Sequence, residues 1–333
     1  MPDNRNPLTR HLFGLGTSCP TKLYYKAHAK SYPERHELLP FLEHVGYNKR
    51  QLKGLLKAQY PGAVSVEIND SDLERAYQET DRHLQPPHAA VIDAAFLNDG
   101  LFAKIPLLEK DGKYLRIYQI QTRAFDPQRH SLIGRNGKIH SKWKDYLRDF
   151  AYSVHVVRRC YPDWKVDPYL VLPDKTEKAK IDRIDQKLAG GEPLGKEQVS
   201  NLLAFLPVRE YLERFWDGRE TLIEREEHPL YGRPFSECLE VMADWYSEGR
   251  KIFTGVGNKC RNCEFRVEME RLEGGEKSGF RECWSNVLSG ESIEEHVFDL
   301  IGAGNRELVD REIYLQEEVS IESGLEPEQI DKN

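Results

Sequence analysis

The chain has 333 residues, of which 39% are hydrophobic and 31% charged, and its net charge is −7. No apolar run approaches the roughly 18 residues that a spanning helix needs, which excludes a helical membrane protein, and the overall acidity excludes a globally basic nucleic-acid binder. The acidity is uneven: residues 306–333 hold nine acidic residues against three basic ones, so the body is close to neutral and has room for a local basic groove.

The opening segment, MPDNRNPLTRHLFGLGTSCP, lacks the apolar stretch of a secretory leader, and a cytoplasmic protein is expected. Residues 8–30 read as a helix, and residues 35–60 as a further helix ended by Pro61-Gly62. VSVEI alternates like a short strand. Residues 71–84 read as a helix opened by a capping box, Ser71 with Glu74 three residues later. AAVIDAAFLNDG, LFAKIPLLEKDG and KYLRIYQIQTRAF then read as three β-prone segments, divided by Asn98-Asp99-Gly100 and Asp111-Gly112 turns. The first of them also reads as the end of a helix. A loop rich in glycine and basic residues follows, RHSLIGRNGKIHSK. WKDYLRDFAYSVHVVRRC is an amphipathic helix with Tyr146, Phe150, Val154 and Val157 on one face. VDPYLVLP reads as a buried strand, residues 174–204 as a mobile polar insertion, and residues 236–251 as helix. This order makes an α/β protein.

Six cysteines are too sparse for a disulfide framework. Cys260 and Cys263 form a C-x2-C pair, a spacing that brings two thiolates within reach of one metal. Cys283 follows beyond a glycine-containing stretch, and Cys19 lies far upstream. Four thiolates suit zinc or an iron–sulfur cluster, and spacing does not choose between them. Cys19 reads either as the fourth ligand or as a small packed hydrophobe. Cys160 and Cys238 read as ordinary packed residues.

The ordered set of segments CPTKLYY at 19–25, the hairpin at 101–123, SKWKDYLRDFAYS at 141–153, YLVLPDKT at 169–176, KCRNCEF at 259–265 and SGFRECW at 278–284 resembles the RecB-like PD-(D/E)XK nuclease superfamily. That superfamily includes the AddB-type and CRISPR-associated RecB-like exonucleases. The chain is most similar to a bacterial family that joins such a module to a C-terminal ribonuclease-H-like exonuclease domain. The resemblance spans most of residues 10–315. It implies a restriction-endonuclease-like α/β core whose helical N- and C-terminal segments are joined by a metal cluster. Residues 1–300 would form this domain: a helical part at 1–85, the core hairpin and helix at 88–173, the polar insertion at 174–204 and a cysteine part at 236–300. Residues 301–333 would be an acidic tail or a linker to a further domain. The resemblance also implies Cys19, Cys260, Cys263 and Cys283 as ligands of a structural 4Fe–4S cluster, with zinc as the alternative.

The departures from the family pattern fall on its catalytic positions. Where the family has Asp in Arg-x-Asp-x-Leu, this chain has Pro106; where it has Glu-Val-Lys, this chain has Gln119-Ile120-Gln121. Asp149 keeps the acid of the helix motif, and Ser153 replaces its Gln. Asp93 corresponds to an acidic residue on the preceding helix. Mg²⁺ wants anionic oxygens, which proline and glutamine do not supply. The leading expectation is therefore a DNA-binding pseudo-nuclease with no catalytic residues, serving repair, recombination or anti-phage defence as its relatives do. The alternative is a DNA exonuclease using Mg²⁺ or Mn²⁺ on substitute carboxylates among Asp93, Asp99, Glu109 and Asp126. On the bland reading of those acids, Asp99 sits in a turn and Glu109 faces solvent. For nucleic acid, Arg135, Lys138, Lys142, Trp143, Lys144 and Arg148 combine charge with stacking capacity. The competing reading of that segment is a core Trp143 and Tyr146 under a solvated basic face. A third reading is a scaffold whose acidic tail docks a partner protein.

Overall fold

The computed structural model describes residues 6–35, 39–190, 192, 194–288, 296–300 and 305–323. Its centre is a mixed seven-stranded sheet. Strands β1 (Leu8–Thr9), β2 (Val64–Ser65), β3 (His88–Asn98), β4 (Leu101–Asp111), β5 (Tyr114–Ile120), β6 (Lys165–Pro173) and β7 (Leu203–Pro207) run in the order β2-β3-β4-β5-β6-β7, with β1 also paired to β4. The meander β3-β4-β5 is antiparallel, as its two turns foretell. Asp99 and Gly100 both have positive φ, 45° and 74°, which is the primed hairpin turn that Asp-Gly favours. The first β-prone segment is strand throughout. β6 returns parallel to β5 after helix α5 (Ser141–Cys160).

Helices cover both faces. α1 (Arg10–Ser18), α4 (Leu73–His83), α5, α8 (Arg209–Trp216) and α9 (Phe235–Ser247) bury their apolar stripes in the main core, with Phe13, Phe96, Phe150 and Tyr152 at its heart. On the other face α3 (Leu39–Gln59) sets Leu52, Leu55 and Leu56 against Ile92, Leu107, Tyr118 and Val171. A third cluster packs α2 (Thr21–Ala27) against the C-terminal part of the chain, through Tyr25, Tyr32, Phe265, Phe280 and Trp284. There α10 (Gly279–Ser285) starts on a glycine because a Cβ would meet the Tyr25 ring at 2.7 Å, while Tyr25 Oη donates to Gly279 O at 2.9 Å. No helix among the described residues is long and apolar enough to cross a membrane.

Several sequence expectations are corrected. The helix over 8–30 is two helices, because Cys19 and Pro20 turn the chain between α1 and α2. The cap of α4 is Asp72, which accepts from Arg75 N at 3.2 Å, whereas Ser71 donates to Asn69 Oδ1. The 174–204 insertion carries α6 (Ile184–Ala189) and α7 (Lys196–Val199) and leads into β7, with Val199 and Leu203 buried beneath α3. The acidic tail folds in part: α11 (Asn305–Asp310) and α12 (Gln316–Ser323) bring Val309, Ile313, Leu315 and Val319 into the third cluster. Residues 301–304 and 324–333 of that tail lie outside the described residues.

Candidate functional site

The edge of β4 that faces β5 is paired in two separate stretches. Leu101 and Phe102 pair with β1, and residues 107–111 pair with β5. Between them lies Pro106, which has no N–H to donate. Continuing the registers places Asp93 of β3 and Gln119 of β5 directly opposite Pro106 on its two sides, and at this row both ladders lapse. Asp93 takes φ +56° there, a left-handed conformation that a non-glycine residue adopts only at a cost. The sheet thus brings together Asp93, Pro106 and Gln119, three residues that sequence reasoning singled out, and Asp93 lies on a strand rather than on a helix.

All three line a cavity of about 430 Å³ between the sheet, the start of α1 and α3. Five permanent cations line it as well: Arg10 from α1, Lys49, Arg50 and Lys53 from α3, and Lys104 from β4. Among the described residues Asp93 is the only carboxylate lining it, and it is already engaged by Lys53 and, at 3.4 Å, by Lys104. Arg10, Lys49 and Arg50 have no carboxylate within salt-bridge distance among the described residues. The guanidinium of Arg10 is pulled below its ordinary value by burial, against the opposing field of Asp149. Lys49 is lowered by desolvation and then by Arg10. Burial in turn raises the Asp149 carboxyl, against the pull of Arg148 and Arg10. Arg10 thus opposes the charge of Lys49, and an anion beside the pair would relieve both.

Gln119 is 3% exposed, and its Oε1 has no hydrogen-bond partner. Its Nε2 makes one long contact, 3.4 Å to Ile120 O. A buried carboxamide oxygen without a partner is costly, and this one belongs to a residue that lines the cavity. Gln121 is buried as well, and its backbone N–H is held by Val171 O. A divalent cation is poorly served here: Pro106 has no ligand atom, Gln119 has no charge, and Asp93 is neutralised twice over. The residues do not fit Mg²⁺ or Mn²⁺.

The other substitute carboxylates are occupied elsewhere. Glu109 is half-buried and accepts from Tyr118 Oη and, at 3.3 Å, from Tyr60 Oη, so it does not simply face solvent. Asp99 pairs with Arg159 at 2.7 Å. Asp126 caps its own loop by accepting from Gln128 and Arg129 backbone N–H groups.

The basic segment divides. Trp143 is 1% exposed, so it is a core residue and not a base-stacking platform; its ring packs near Phe125 and Tyr146, with Arg123 and Lys142 over its faces. Lys144 pairs with Glu224 at 3.2 Å, and Arg148 with Asp145 and Asp149 at 2.8 Å each. Arg135, Lys138 and Lys142 are exposed and pair with no carboxylate among the described residues. The loop that carries the first two is tight: Gly134 N donates to Lys138 O at 2.8 Å, and buried Glu220 accepts from Ile139 N at 2.8 Å.

The four cysteines come from three places. Cys19 caps α1, Cys260 lies within a short turn over Asn258–Asn262 that Cys263 ends, and Cys283 sits in α10. Folding gathers them: Cys260 feels the charge of Cys19, Cys263 that of Cys260, and Cys283 that of both Cys19 and Cys260. Burial raises the Cys263 and Cys283 thiols to about 12 and also raises Cys260. Tyr25 Oη stands 3.2 Å from Cys283 Sγ. Lys22 and Glu264 form a salt bridge at 2.5 Å beside them. Among the described residues no three His, Cys, Asp or Glu side chains are closed around a metal-sized space. An all-thiol set gathered within an aromatic shell nonetheless suits a soft metal or an iron–sulfur cluster. Cys160 and Cys238 pack singly, with their sulfurs against Leu97 O and Leu230 O.

Sequence reasoning missed Arg10, Lys49, Lys53 and Lys104. The one available signal was Lys49, Arg50 and Lys53 at helical spacing, which by itself reads as a solvated face. No protein-family description, curated protein or solved structure matches this chain.

Proposed function

We propose that this chain is a nucleic-acid-binding, catalytically degenerate nuclease module of the RecB-like PD-(D/E)XK type. The observation that carries the reading is the row Asp93-Pro106-Gln119. Where such a nuclease needs free carboxylates for metal, this chain has a proline, an amide and an acid engaged by two lysines, set in a cation-rich cavity. Phosphate approach gains from the loss of negative charge, while hydrolysis loses the metal that would activate water. Arg135, Lys138 and Lys142 add exposed cations outside the cavity. Their effect is electrostatic and independent of sequence.

In the same reading Cys19, Cys260, Cys263 and Cys283 hold a structural 4Fe–4S cluster that ties α1 to the C-terminal segment. Closing so long a loop removes conformational entropy from the unfolded chain. The test is binding of labelled single- and double-stranded DNA in EDTA over a salt series. Salt-sensitive binding that weakens in an Arg135→Ala/Lys138→Ala/Lys142→Ala variant supports the reading. Absent or salt-independent binding overturns it. Anaerobic purification tests the cluster separately: brown protein with iron and sulfide supports it, and colourless zinc-loaded protein replaces it with zinc.

One observation favours a second reading, an exonuclease using Mg²⁺ or Mn²⁺. Asp93 is held in a strained conformation opposite the degenerate Pro106, as substitute ligands sometimes are. It would have to shed Lys53 and Lys104 to bind metal.

A further inference from the structure

We infer that the cavity beside Asp93 binds a phosphate monoester without a divalent cation, with the ammonium groups of Lys53 and Lys104 standing where the carboxylates of a nuclease would hold metal. The inference deepens the reading above, and rests on it only in taking the polymer end as one source of the ligand.

Three observations carry it. Arg10, Lys49 and Arg50 line the cavity without a salt bridge to any described carboxylate, Arg10 and Lys49 feeling only the more distant Asp149, and this loosely balanced charge suits a dianion better than the single charge of a diester. Thr9 and Arg10 bring the first turn of the nine-residue helix α1 to the cavity wall. Thr9 Oγ1 accepts from Leu12 N, so one N–H of that turn is met by the cap, and the start of a helix favours an anion nearby. Independently of the helix, Gln119 lines the same cavity, and the oxygen of its buried carboxamide has no hydrogen-bond partner. Turned over, it presents its NH₂ instead, at the loss of only the 3.4 Å contact to Ile120 O. The cavity volume of about 430 Å³ fits one phosphorylated sugar or nucleotide rather than a length of duplex.

Two sources share this chemistry, a free nucleoside monophosphate and the phosphorylated end of a strand. The experiment is calorimetric titration of the whole protein in EDTA with dAMP, with deoxyadenosine, and with one oligonucleotide carrying either a terminal phosphate or a terminal hydroxyl. We expect dAMP to bind at least about tenfold more tightly than deoxyadenosine, with no gain from Mg²⁺. Gln119→Glu, which sets a carboxylate in the cavity, and Lys49→Glu, on the surface of α3, should each weaken dAMP by about tenfold or more. Exposed Lys180→Ala should leave it unchanged. A preference for the phosphorylated oligonucleotide names the strand end as the ligand, and indifference to it alongside dAMP binding names the free nucleotide. No heat with dAMP, binding that requires Mg²⁺, or equal affinity in Gln119→Glu and Lys49→Glu overturns the inference. DNA binding by the parent protein without dAMP binding sinks the pocket alone. Binding of dAMP without DNA binding sinks the module reading and leaves the pocket.

Discussion

The cavity and the cysteine region are built in opposite ways. The cavity lies on the central sheet, is lined by full charges, and owes its shape to a lapse in two ladders at Pro106. Its side chains hang from a frame that other residues hold. The cysteine region joins α1 to the C-terminal part of the chain, and three of its thiols, Cys260, Cys263 and Cys283, are themselves part of an apolar cluster with Tyr25, Phe265 and Trp284. Substitution can therefore rewrite the chemistry of the first without disturbing the fold, whereas in the second the site and the fold are one object.

That contrast predicts where substitutions act. The largest effect should follow loss of the cysteines proposed to hold a cluster. Cys260→Ser, or treatment with a strong iron chelator, should lower thermal stability by several degrees and expose the α2 face to proteolysis, read by scanning calorimetry and limited digestion. A Cys260→Ser protein as stable as the parent would break the comparison. Next comes Trp143→Ala, which empties a buried site and should cost about 3–5 kcal/mol in denaturant unfolding, although the residue sits in the basic segment. In the cavity the sign of the contrast reverses. Lys49→Glu should leave the melting temperature within about 1–2 °C of the parent while changing anion affinity, since exposed substitutions rarely shift stability much.

A smaller effect sharpens the account of the α5 core. His155 has its value lowered from 6.5 to about 4, by burial first and then by Arg159 and Arg158, with Glu240 opposing, and its ring packs near Phe235. An unfolded chain takes up this proton near pH 6.5 and the folded chain only near pH 4. The neutral histidine therefore contributes fully above about pH 6.5, and stability falls as pH drops from there towards 4. His155→Gln should reduce the loss in melting temperature between pH 7 and pH 5 by about 2 °C.

Much of the frame was legible because local signals were strong. Asn98-Asp99-Gly100 and Asp111-Gly112 divide the meander, and the apolar stripe of α5 leaves one reading. The break at Cys19-Pro20 was missed because apolar periodicity runs through it. The fold of the acidic tail was missed because Val309, Ile313, Leu315 and Val319 find their partners far away in sequence, at α2 and α10. For the cysteines, residue type offered only the C-x2-C pair; Cys19 and Cys283 were joined to it through the family resemblance. The cavity was not legible. Arg10, Lys49 and Lys104 lie on three elements, each with a sufficient local explanation as a solvated cation, and only the pairing registers bring them around Asp93. Trp143 beside lysines suggested stacking; its place in the i, i+4 pattern with Leu147 was the better guide.

The most direct measurement is the fate of end-labelled single-stranded DNA incubated with the anaerobically purified protein in Mg²⁺ and, separately, in Mn²⁺. The account predicts intact DNA in both, with a salt-sensitive complex that also forms in EDTA. Metal-dependent cleavage that disappears in Asp93→Asn would contradict it, since Asp93 would then have left its lysines to hold a metal.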